Sequence, residues 1–346
     1  MLNPNSHSFS RSIISLFGIF LALFLLRHTS VSAQTIYTVN DTYGVMNFNN
    51  VRDAFHQLET AIHSGPVEIH IASGVYPEDH FVDPISWAGP GKEILVKSIS
   101  GNPTDVIFQP QSIFTIEALR LNGVQYMTFE GITFEVAYHP LRNEGHAVLL
   151  EDDAGNIAFQ NCHFTAFTPP TFPIVKPRFS IVQADLLGGN LSFNNCDLRH
   201  GGMGLRIRNT SVPAILDVQN TGIHFILGDG IRLEDSLQEV HVTDGFIHCN
   251  GAGKFKAINI AEYAETLEIR DNFITTYLAD RATAIDARAA YIDIANNDIV
   301  MAEHAQSALG IMLWEHPFDT EIRNNDIRYP GIVHTFTAPD SFIGVS

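Results

Sequence analysis

The chain has 346 residues, of which 45% are hydrophobic and 17% are charged, a composition typical of folded globular proteins rather than disordered ones. Its 20 basic and 38 acidic residues give a formal net charge of −18. A surface of this charge repels polyanions except where basic side chains gather locally, so we expect no nucleic-acid partner.

The first 33 residues have the layout of a secretory signal peptide. Arg11 precedes an apolar run, Ile13–Leu26, and Val31-Ser32-Ala33 supplies a small-residue cleavage site before Gln34. This run is short for a bilayer span, and no later segment is apolar enough to cross a membrane. We therefore predict a secreted chain, extracellular or at the cell surface, with an uncleaved anchor as the alternative.

Residues 34–123 are predicted to form an N-terminal cap and the first coils of a repeat. Asn49 or Asn50 can cap a helix that Gly65-Pro66 ends. Its apolar face consists of Val51, Ala54, Phe55, Leu58, Ala61 and Ile62. We expect this helix to cover the open apolar end of the first coil. Strands are predicted at Val67–Ile71, Ile94–Val96 and Val106–Phe108.

Residues 124–346 repeat one short pattern. Each of eight units has an apolar anchor residue, and the anchors are Phe129, Phe159, Phe193, Val218, Val242, Ile269, Ile294 and Ile322. A second apolar residue follows each anchor by five positions: Phe134, Phe164, Leu198, Ile223, Ile247, Ile274, Ile299 and Ile327. Units of this length, repeated in tandem, are typical of a solenoid.

Apolar residues alternate with a period of two within each unit, which indicates short strands rather than helices. After a variable loop, a third strand is predicted at Val148–Leu150, Ile181–Gln183, Leu205–Ile207, Ile231–Leu233, Ile258–Ile260, Ile285–Ala287 and Ile311–Leu313. Three stacked strands per coil predict an all-β fold, a single-stranded parallel β-helix of three sheets. No cap follows the last coil, so we expect either a truncated C-terminus or an end that pairs with another surface.

A polar column lies two residues after the anchors: Gly131, Asn161, Asn195, Asn220, Asp244, Asp271, Asn296 and Asn324. Asparagine and aspartate tolerate the left-handed backbone of a tight turn, so we interpret this column as structural. One position later, Cys162 and Cys196 occupy equivalent places on adjacent coils. The coil spacing permits a disulfide between them, and so does a secreted setting, but parallel side chains need not meet.

Together these features resemble the pectin-lyase-like superfamily of right-handed parallel β-helix proteins. The helix, the strand Val67–Ile71 and the following Ser73-Gly74-Val75-Tyr76 resemble its N-terminal segment. The asparagine turn and the variable loop after it also match, and the resemblance covers about residues 35–346. The superfamily includes lyases, glycoside hydrolases, esterases, epimerases and proteins without known activity. Catalytic signatures of its pectate lyases, polygalacturonases and methylesterases are missing here.

The resemblance implies that a substrate lies across the outer face of the third-strand sheet. Strand parity predicts an outward middle column of Leu149, Val182, Arg206, Arg232, Asn259, Asp286 and Met312. The column two residues later contains Glu151, Ala184, Arg208, Glu234, Ala261, Arg288 and Trp314. The column two residues earlier is small and predicts a groove floor: Ala147, Ser180, Gly204, Gly230, Ala257, Ala284 and Gly310.

Arg206 and Arg232 should stack on adjacent coils, where like charges destabilise a sheet. Either Glu234 neutralises this pair as an ordinary surface ion pair, or the two guanidiniums await a carboxylate or sulfate of a sugar. Trp314 could stack on a sugar ring or be an ordinary exposed aromatic residue.

A second cluster is predicted on the neighbouring sheet, where Asp197, Arg199, His224 and His248 point outward on successive coils. Stacked histidines suit proton transfer or metal binding, whereas a solvated face needs neither. No third metal ligand is evident from the sequence, which favours the solvated face.

The enzyme hypothesis is cleavage of an extracellular polysaccharide, in particular an anionic one. For β-elimination, Arg206, Arg232 or Lys256 could neutralise a uronate or act as base, and acids such as Asp229 or Asp286 could hold Ca²⁺. For hydrolysis, Glu234 and Asp286 would form the carboxylate pair. Further substrate contacts are predicted for Arg208, Lys256, Asn259, Arg288 and Trp314.

The competing hypothesis is a non-catalytic surface protein that binds glycans or presents a rigid rod. The acidic composition, the outward aliphatic residues and the missing C-terminal cap favour it. No motif requires a cofactor, and calcium enters only through the lyase hypothesis.

Overall fold

Each repeat forms one coil of three short strands, because turns interrupt its alternating apolar pattern at fixed points. The computed structural model describes residues 34–40, 46–112, 114–136, 145–166, 180–251, 254–277, 281–301, 307–314 and 317–329. The predicted signal peptide and the last residues of the chain lie outside these ranges. Residues Thr35–Ser346 belong to one compact unit.

Three sheets run the length of the described chain. In spatial order, the first sheet contains β2 (Asn47–Phe48), β1 (Thr35–Val39), β3 (Val67–Ile71), β6 (Ile94–Ser98), β9 (Gln125–Glu130), β12 (Gly155–Gln160), β15 (Leu191–Asn194), β18 (Ile215–Gln219), β21 (Leu237–Thr243), β24 (Ala264–Arg270), β27 (Ala289–Ala295) and β30 (Asp319–Arg323).

The second sheet contains β4 (Gly74–Tyr76), β7 (Val106–Phe108), β10 (Thr133–Val136), β13 (His163–Ala166), β16 (Asp197–Arg199), β19 (Gly222–Ile226), β22 (Phe246–Cys249), β25 (Phe273–Thr276), β28 (Asp298–Val300) and β31 (Asp326–Arg328). The third sheet contains β5 (Phe81–Val82), β8 (Glu117–Asn122), β11 (His146–Glu151), β14 (Ser180–Ala184), β17 (Met203–Ile207), β20 (Ile231–Leu233), β23 (Lys254–Ile260), β26 (Arg281–Ala287) and β29 (Ser307–Leu313).

Neighbouring strands pair in parallel, and each strand lies beside its equivalent one coil away. Phe159 pairs with Phe129 and Phe193, and Val218 continues the same row. Between two neighbouring strands of one sheet, the chain passes through the other two sheets. Connections of this kind between parallel strands are right-handed in nearly all proteins. The fold is the right-handed, three-sheet parallel β-helix that the repeats predicted.

The core is a stack of equivalent side chains. Phe129, Phe159 and Phe193 stack with ring centroids 5.4 Å and 5.3 Å apart, and all three are buried. Phe134 and Phe164 form a second stack at 5.3 Å, edge-on to the first. Later coils replace these rings with valine, leucine and isoleucine, whose branched side chains pack well on a pleated surface.

Helix α1 (Val51–Thr60) packs against β1, β2 and β5 through Val51, Ala54, Phe55 and Leu58, which are buried. Its N-cap is Asn50, whose side chain accepts a hydrogen bond from the amide of Asp53 at 2.8 Å. The predicted helix was two residues too long. Ala61 has an extended backbone and Ile62 is 89% exposed, so the helix ends at Thr60, before Gly65. No helix in the described part of the chain is long and apolar enough to span a membrane.

The polar turn column adopts the left-handed backbone that its composition predicted. All eight positions have φ between 46° and 65°. Asn195 donates from its side-chain amide to Asn161, and Asn220 donates to Asn195, at 3.2 Å and 3.0 Å. This exposed ladder confirms the structural interpretation of the column.

A second, buried ladder lies one position later, and the sequence analysis missed it. Cys162 and Cys196 occupy this column as buried free thiols, each with its sulfur 3.3–3.5 Å from two backbone carbonyl oxygens. Burial raises the pKa of the Cys162 thiol. In later coils the column holds Asn272, Asn297 and Asn325, whose amides bond to one another and to core carbonyl groups.

We expect Asn297→Ala to lower the free energy of unfolding by about 2–4 kcal/mol, because it leaves several buried partners unpaired. The Asn297 side chain bonds with Asn272, Asn325 and the carbonyl of Ile269, and it is 1% exposed. Asn296→Gly is the matched control, since glycine tolerates the left-handed backbone and Asn296 is exposed. Urea unfolding would contradict the prediction if the two variants lost equal stability.

His80 should make the protein sensitive to acid. Its ring is 1% exposed, stacks on Phe108 at 4.1 Å and contacts the carbonyl of Ala118 at 3.0 Å. Burial lowers the pKa of His80 to about 3, against the raising effect of that hydrogen bond. The unfolded chain therefore binds the proton first, and stability falls as the pH drops below the ordinary histidine pKa.

From pH 7 to pH 4, this one group should cost about 3 kcal/mol of unfolding free energy. We expect His80→Gln to lose about that much less than the wild type over the same pH range in urea titrations. His56→Gln, at an exposed histidine of helix α1, should follow the wild type. Equal pH dependence in all three proteins would refute the assignment.

Candidate functional site

The outer face of the third sheet differs from the predicted one at β14. Leu149 pairs with Gln183 rather than Val182, and Gln183 pairs with Arg206. Val182 is buried in the core row, so the outward column was wrong by one residue in this coil. The following outward residue is accordingly Asp185 rather than Ala184. The parity was misjudged because no turn residue marks the start of this strand after the variable loop.

The predicted groove floor was also wrong. A Cβ atom on Gly204, Gly230 or Gly310 would approach a core isoleucine of the second sheet to 2.6–2.8 Å. Ala257 and Ala284 in the same column are fully buried. These small residues therefore face the interior at the corner between two sheets, and they do not line a surface groove.

Arg206 and Arg232 stack in register on β17 and β20, as predicted. Glu234 lies between them: its carboxylate accepts Arg206 in a bidentate arrangement at 2.9–3.2 Å and contacts Nε of Arg232 at 2.6 Å. Of the two interpretations offered for Arg206 and Arg232, the contacts therefore support neutralisation by Glu234. Arg208, by contrast, pairs with Asp185 at 2.9 Å.

Asp229, which precedes β20, connects Arg232 to Lys256 and Asn259 on the next coil. The Asp229 carboxylate accepts from the Lys256 amide at 2.8 Å and from the Asn259 side chain at 2.9 Å. Its Oδ2 atom is also 3.5 Å from a guanidinium nitrogen of Arg232. Asp229 and Asn259 are 8% and 5% exposed, so this connection is shielded from water.

Asp286 occupies the following coil and is 1% exposed. It contacts Nζ of Lys256 at 2.5 Å and accepts a hydrogen bond from the indole of Trp314 at 2.5 Å. The Arg288 guanidinium lies over the Trp314 ring, 5.5 Å from its centroid. Trp314 itself is 43% exposed, so its N–H group is anchored while much of its ring faces solvent.

These contacts join most of the predicted site residues in one charged network. We define it as Arg206, Asp229, Arg232, Glu234, Lys256, Asn259, Asp286, Arg288 and Trp314. Four of its members are basic and three are acidic, in a chain whose net charge is −18. Arg208 lies beside this network rather than in it.

The acids of the network do not fit the calcium site of the lyase hypothesis. Both oxygens of Asp229 already accept hydrogen bonds from Lys256 and Asn259, and Asp286 faces the ammonium of Lys256. Calcium requires six to eight oxygen ligands, whereas these carboxylates are surrounded by donors. Among the described residues no group of three His, Cys, Asp or Glu side chains is arranged to hold a metal.

The second predicted cluster lies on the outer face of the second sheet. Asp197 pairs with the Arg199 guanidinium and lies 3.5 Å from Nε2 of His224. His248 contacts the Thr275 hydroxyl at 2.5 Å through Nδ1. Burial lowers the pKa of His224, against the raising effect of Asp197, and it lowers the pKa of His248. The cluster thus combines neutral imidazoles with one ion pair.

No protein-family model matches this chain, and no curated protein shows significant similarity to it. Solved structures of similar fold include a pectin methylesterase from Aspergillus niger, with 12% identity and a TM-score of 0.33, covering 89% of this chain and 94% of that one.

Pectin methylesterase from carrot has 12% identity and a TM-score of 0.40, covering 84% of this chain and 91% of that one. A pectate lyase has 11% identity and a TM-score of 0.41, covering 85% of this chain and 80% of that one. Similarity at this level concerns the fold and assigns no activity to the charged network.

We expect Glu234→Gln to destabilise the protein by about 1 kcal/mol, because one amide cannot neutralise two stacked guanidiniums that solvent partly screens. Sulfate should bridge the freed guanidiniums and raise the melting temperature of this variant more than that of the wild type. Sodium chloride at the same ionic strength is the control, because it screens the charges but does not bridge the two guanidiniums.

Asp185→Asn is the control for this variant, because it releases the single guanidinium of Arg208, whose side chain is 45% exposed. Its melting temperature should respond to sulfate as the wild type does. An equal sulfate response in both variants would contradict the bridging role of Glu234.

Proposed function

We propose that this protein is secreted and that it binds an acidic polysaccharide along the outer face of the third sheet. Arg288 and Trp314 form the contact with one sugar: the guanidinium pairs with a uronate carboxylate, and the indole stacks on the ring. The rest of the charged network lies along the path of the neighbouring sugars, over coils spaced by about 4.8 Å.

The observation that carries the proposal is the state of Arg288. Among the described residues no carboxylate lies within ion-pairing distance of it, and its buried Nε has no hydrogen-bond partner. Within the described ranges, Nε of Arg232 also lacks a hydrogen-bond partner, but the Glu234 carboxylate lies 2.6 Å from it, and Arg206 pairs with the same carboxylate. A buried guanidinium nitrogen without an acceptor is costly, and a ligand carboxylate would supply that acceptor.

Trp314 supports a sugar as the bearer of this carboxylate. Its exposed ring offers an apolar face beside the guanidinium, and its N–H group is held by Asp286. Lys256 holds Asp286 in turn, so the orientation of the indole is fixed before a ligand arrives. Aromatic faces of this kind suit the C–H face of a pyranose ring.

The geometry favours binding over hydrolysis. A glycoside hydrolase needs two carboxylates, one of which protonates the leaving oxygen. Glu234 is engaged by two guanidiniums, and Asp286 is engaged by Lys256 and Trp314. β-Elimination is the second candidate function, because Lys256 lies on β23, beside the strand that leads to Arg288. Its side chain could act as base after it leaves Asp286 and its ammonium loses a proton to solvent.

The test is calorimetric titration of the purified protein with polygalacturonate, its fully methyl-esterified form and a neutral xylan. We expect polygalacturonate to bind and esterification to abolish the Arg288 contribution. Arg288→Ala should weaken binding about tenfold, the loss expected for one charge-assisted hydrogen bond. Arg270→Ala removes the same charge from the outer face of the first sheet and should bind like the wild type. Equal effects of both substitutions, or no preference for free carboxylates, would overturn the proposal.

The same mixtures distinguish binding from cleavage. We expect neither unsaturated products nor new reducing ends. Unsaturated products that vanish in Lys256→Met would establish the lyase instead, and reducing ends without unsaturation would restore the hydrolase hypothesis for Glu234 and Asp286.

A further inference from the structure

A row of aromatic and imidazole rings covers part of the outer face of the second sheet. We name it the ring platform and define it as His200, His224, Phe225, Phe246, His248 and Phe273. Phe246 and Phe273 pair in register on β22 and β25, and their rings stack at 5.3 Å. His224 extends this stack with its ring 4.8 Å from Phe246. His200 and Phe225 form a second stack at 5.1 Å, with His248 edge-on to Phe225 at 5.6 Å.

A glycine allows His224 to join the row. Gly222 occupies the position between Asp197 and Phe246, and a Cβ atom there would lie 2.1 Å from Nε2 of His224. The His224 imidazole therefore occupies the space above Gly222 that a side chain at that position would fill. Its Nε2 atom reaches Asp197 at 3.5 Å, so a carboxylate–imidazole pair begins the row of rings.

The platform includes two residues in a backbone conformation that L-amino acids avoid. Phe225 has φ = 55° and His200 has φ = 61°. Phe225 lies where the register between β19 and β22 shifts, and such a bulge redirects a side chain. The shift leaves the Phe225 ring 49% exposed, although burial is the favourable fate of a phenylalanine. Strain and exposure that do not benefit the fold point to a ligand.

The polar groups of the platform suit hydroxyl groups. Thr275 contacts Nδ1 of His248, and among the described residues no hydrogen bond engages its Nε2. Asp197 pairs with Arg199, and burial lowers the pKa values of His224 and His248, which favours their neutral form near neutral pH. The surface therefore offers apolar ring faces beside uncharged donors and acceptors.

We propose that the ring platform is a second glycan-binding site, and that its ligand is a neutral polysaccharide. Pyranose rings place C–H faces on Phe225, Phe246 and Phe273, and their hydroxyl groups bond with His224 and His248. An anionic membrane surface would require basic residues around the rings, but Asp197 neutralises Arg199 there. This site lies on a different sheet from the charged network and takes a different class of sugar, so it stands independently of the function proposed above.

The probes are cellohexaose and mannohexaose, titrated into the purified protein by calorimetry at neutral pH. We expect at least one of them to bind, and Phe225→Gly to weaken it by about tenfold or more, as for loss of a stacked ring. Glycine relieves the left-handed strain, so the melting temperature of this variant should be maintained and unfolding cannot explain the loss. Phe318→Ala removes another exposed phenylalanine, outside the platform, and should leave binding unchanged.

Crossed variants separate the two sites. Phe225→Gly should retain polygalacturonate binding, and Arg288→Ala should retain binding of the neutral probe. The proposal fails if the wild type binds neither neutral probe or if Phe225→Gly binds as tightly as the wild type. It fails equally if sedimentation shows a dimer that Phe225→Gly dissociates without any neutral glycan binding, since the rings would then contact a second copy of the chain.

Discussion

Strict register between coils determines what each side chain of this protein meets. Each strand pairs in parallel with its equivalent, so a residue stacks on the residue at the same position of the next coil, about 4.8 Å away. Apolar positions gain from this arrangement, as the stacked rings of Phe129, Phe159 and Phe193 show. Polar positions gain only when a group can both donate and accept. Asparagine meets that requirement, which explains why both the exposed and the buried ladders use it.

Like charges that stack in register repel, so columns such as Arg206 and Arg232 need opposite charges from neighbouring columns. The charged network resolves this with residues from neighbouring columns: Glu234 separates Arg206 from Arg232, and Lys256 reaches across to Asp286. Among the described residues, Arg288 has no such carboxylate partner. The residues at its level on the two adjacent coils, Ala261 and Trp314, carry no charge, so register supplies no carboxylate. The proposed ligand site therefore follows from an interruption of the pattern that stabilises the rest of the sheet.

The sequence was sufficient for every feature that repeats. The anchors, the second apolar row and the left-handed turn column were predicted because each recurs in all eight units. The third strand of β14 was misplaced by one residue, since it follows a variable loop and carries no turn signal of its own. The buried amide ladder escaped notice because the residue type of its column changes along the chain, from Cys162 and Cys196 to Thr221 and Gly245 before Asn272. Parity and register also predicted the contact of Glu234 with Arg206 and Arg232. The contacts of Asp286 with Lys256 and Trp314 depend on side-chain reach, which periodicity does not encode.

The outer face of the first sheet carries a row of ion pairs and histidine–carboxylate contacts. There the cations and carboxylates pair with one another: Arg270 with Glu268 and Asp293, and Arg323 with Glu321. His241 lies between Glu239 and Glu268, each 3.0 Å away. The other two faces differ from the first, one through the guanidinium of Arg288 and the other through Phe225, whose ring is 49% exposed and whose φ is 55°. In the described part of the chain, Nε of Arg270 and Nε of Arg323 also lack a hydrogen-bond partner, but a carboxylate lies 3.0 Å and 2.6 Å away, respectively. Among the described residues no carboxylate pairs with Arg288, so the proposed ligand carboxylate would supply the partner that the fold supplies elsewhere.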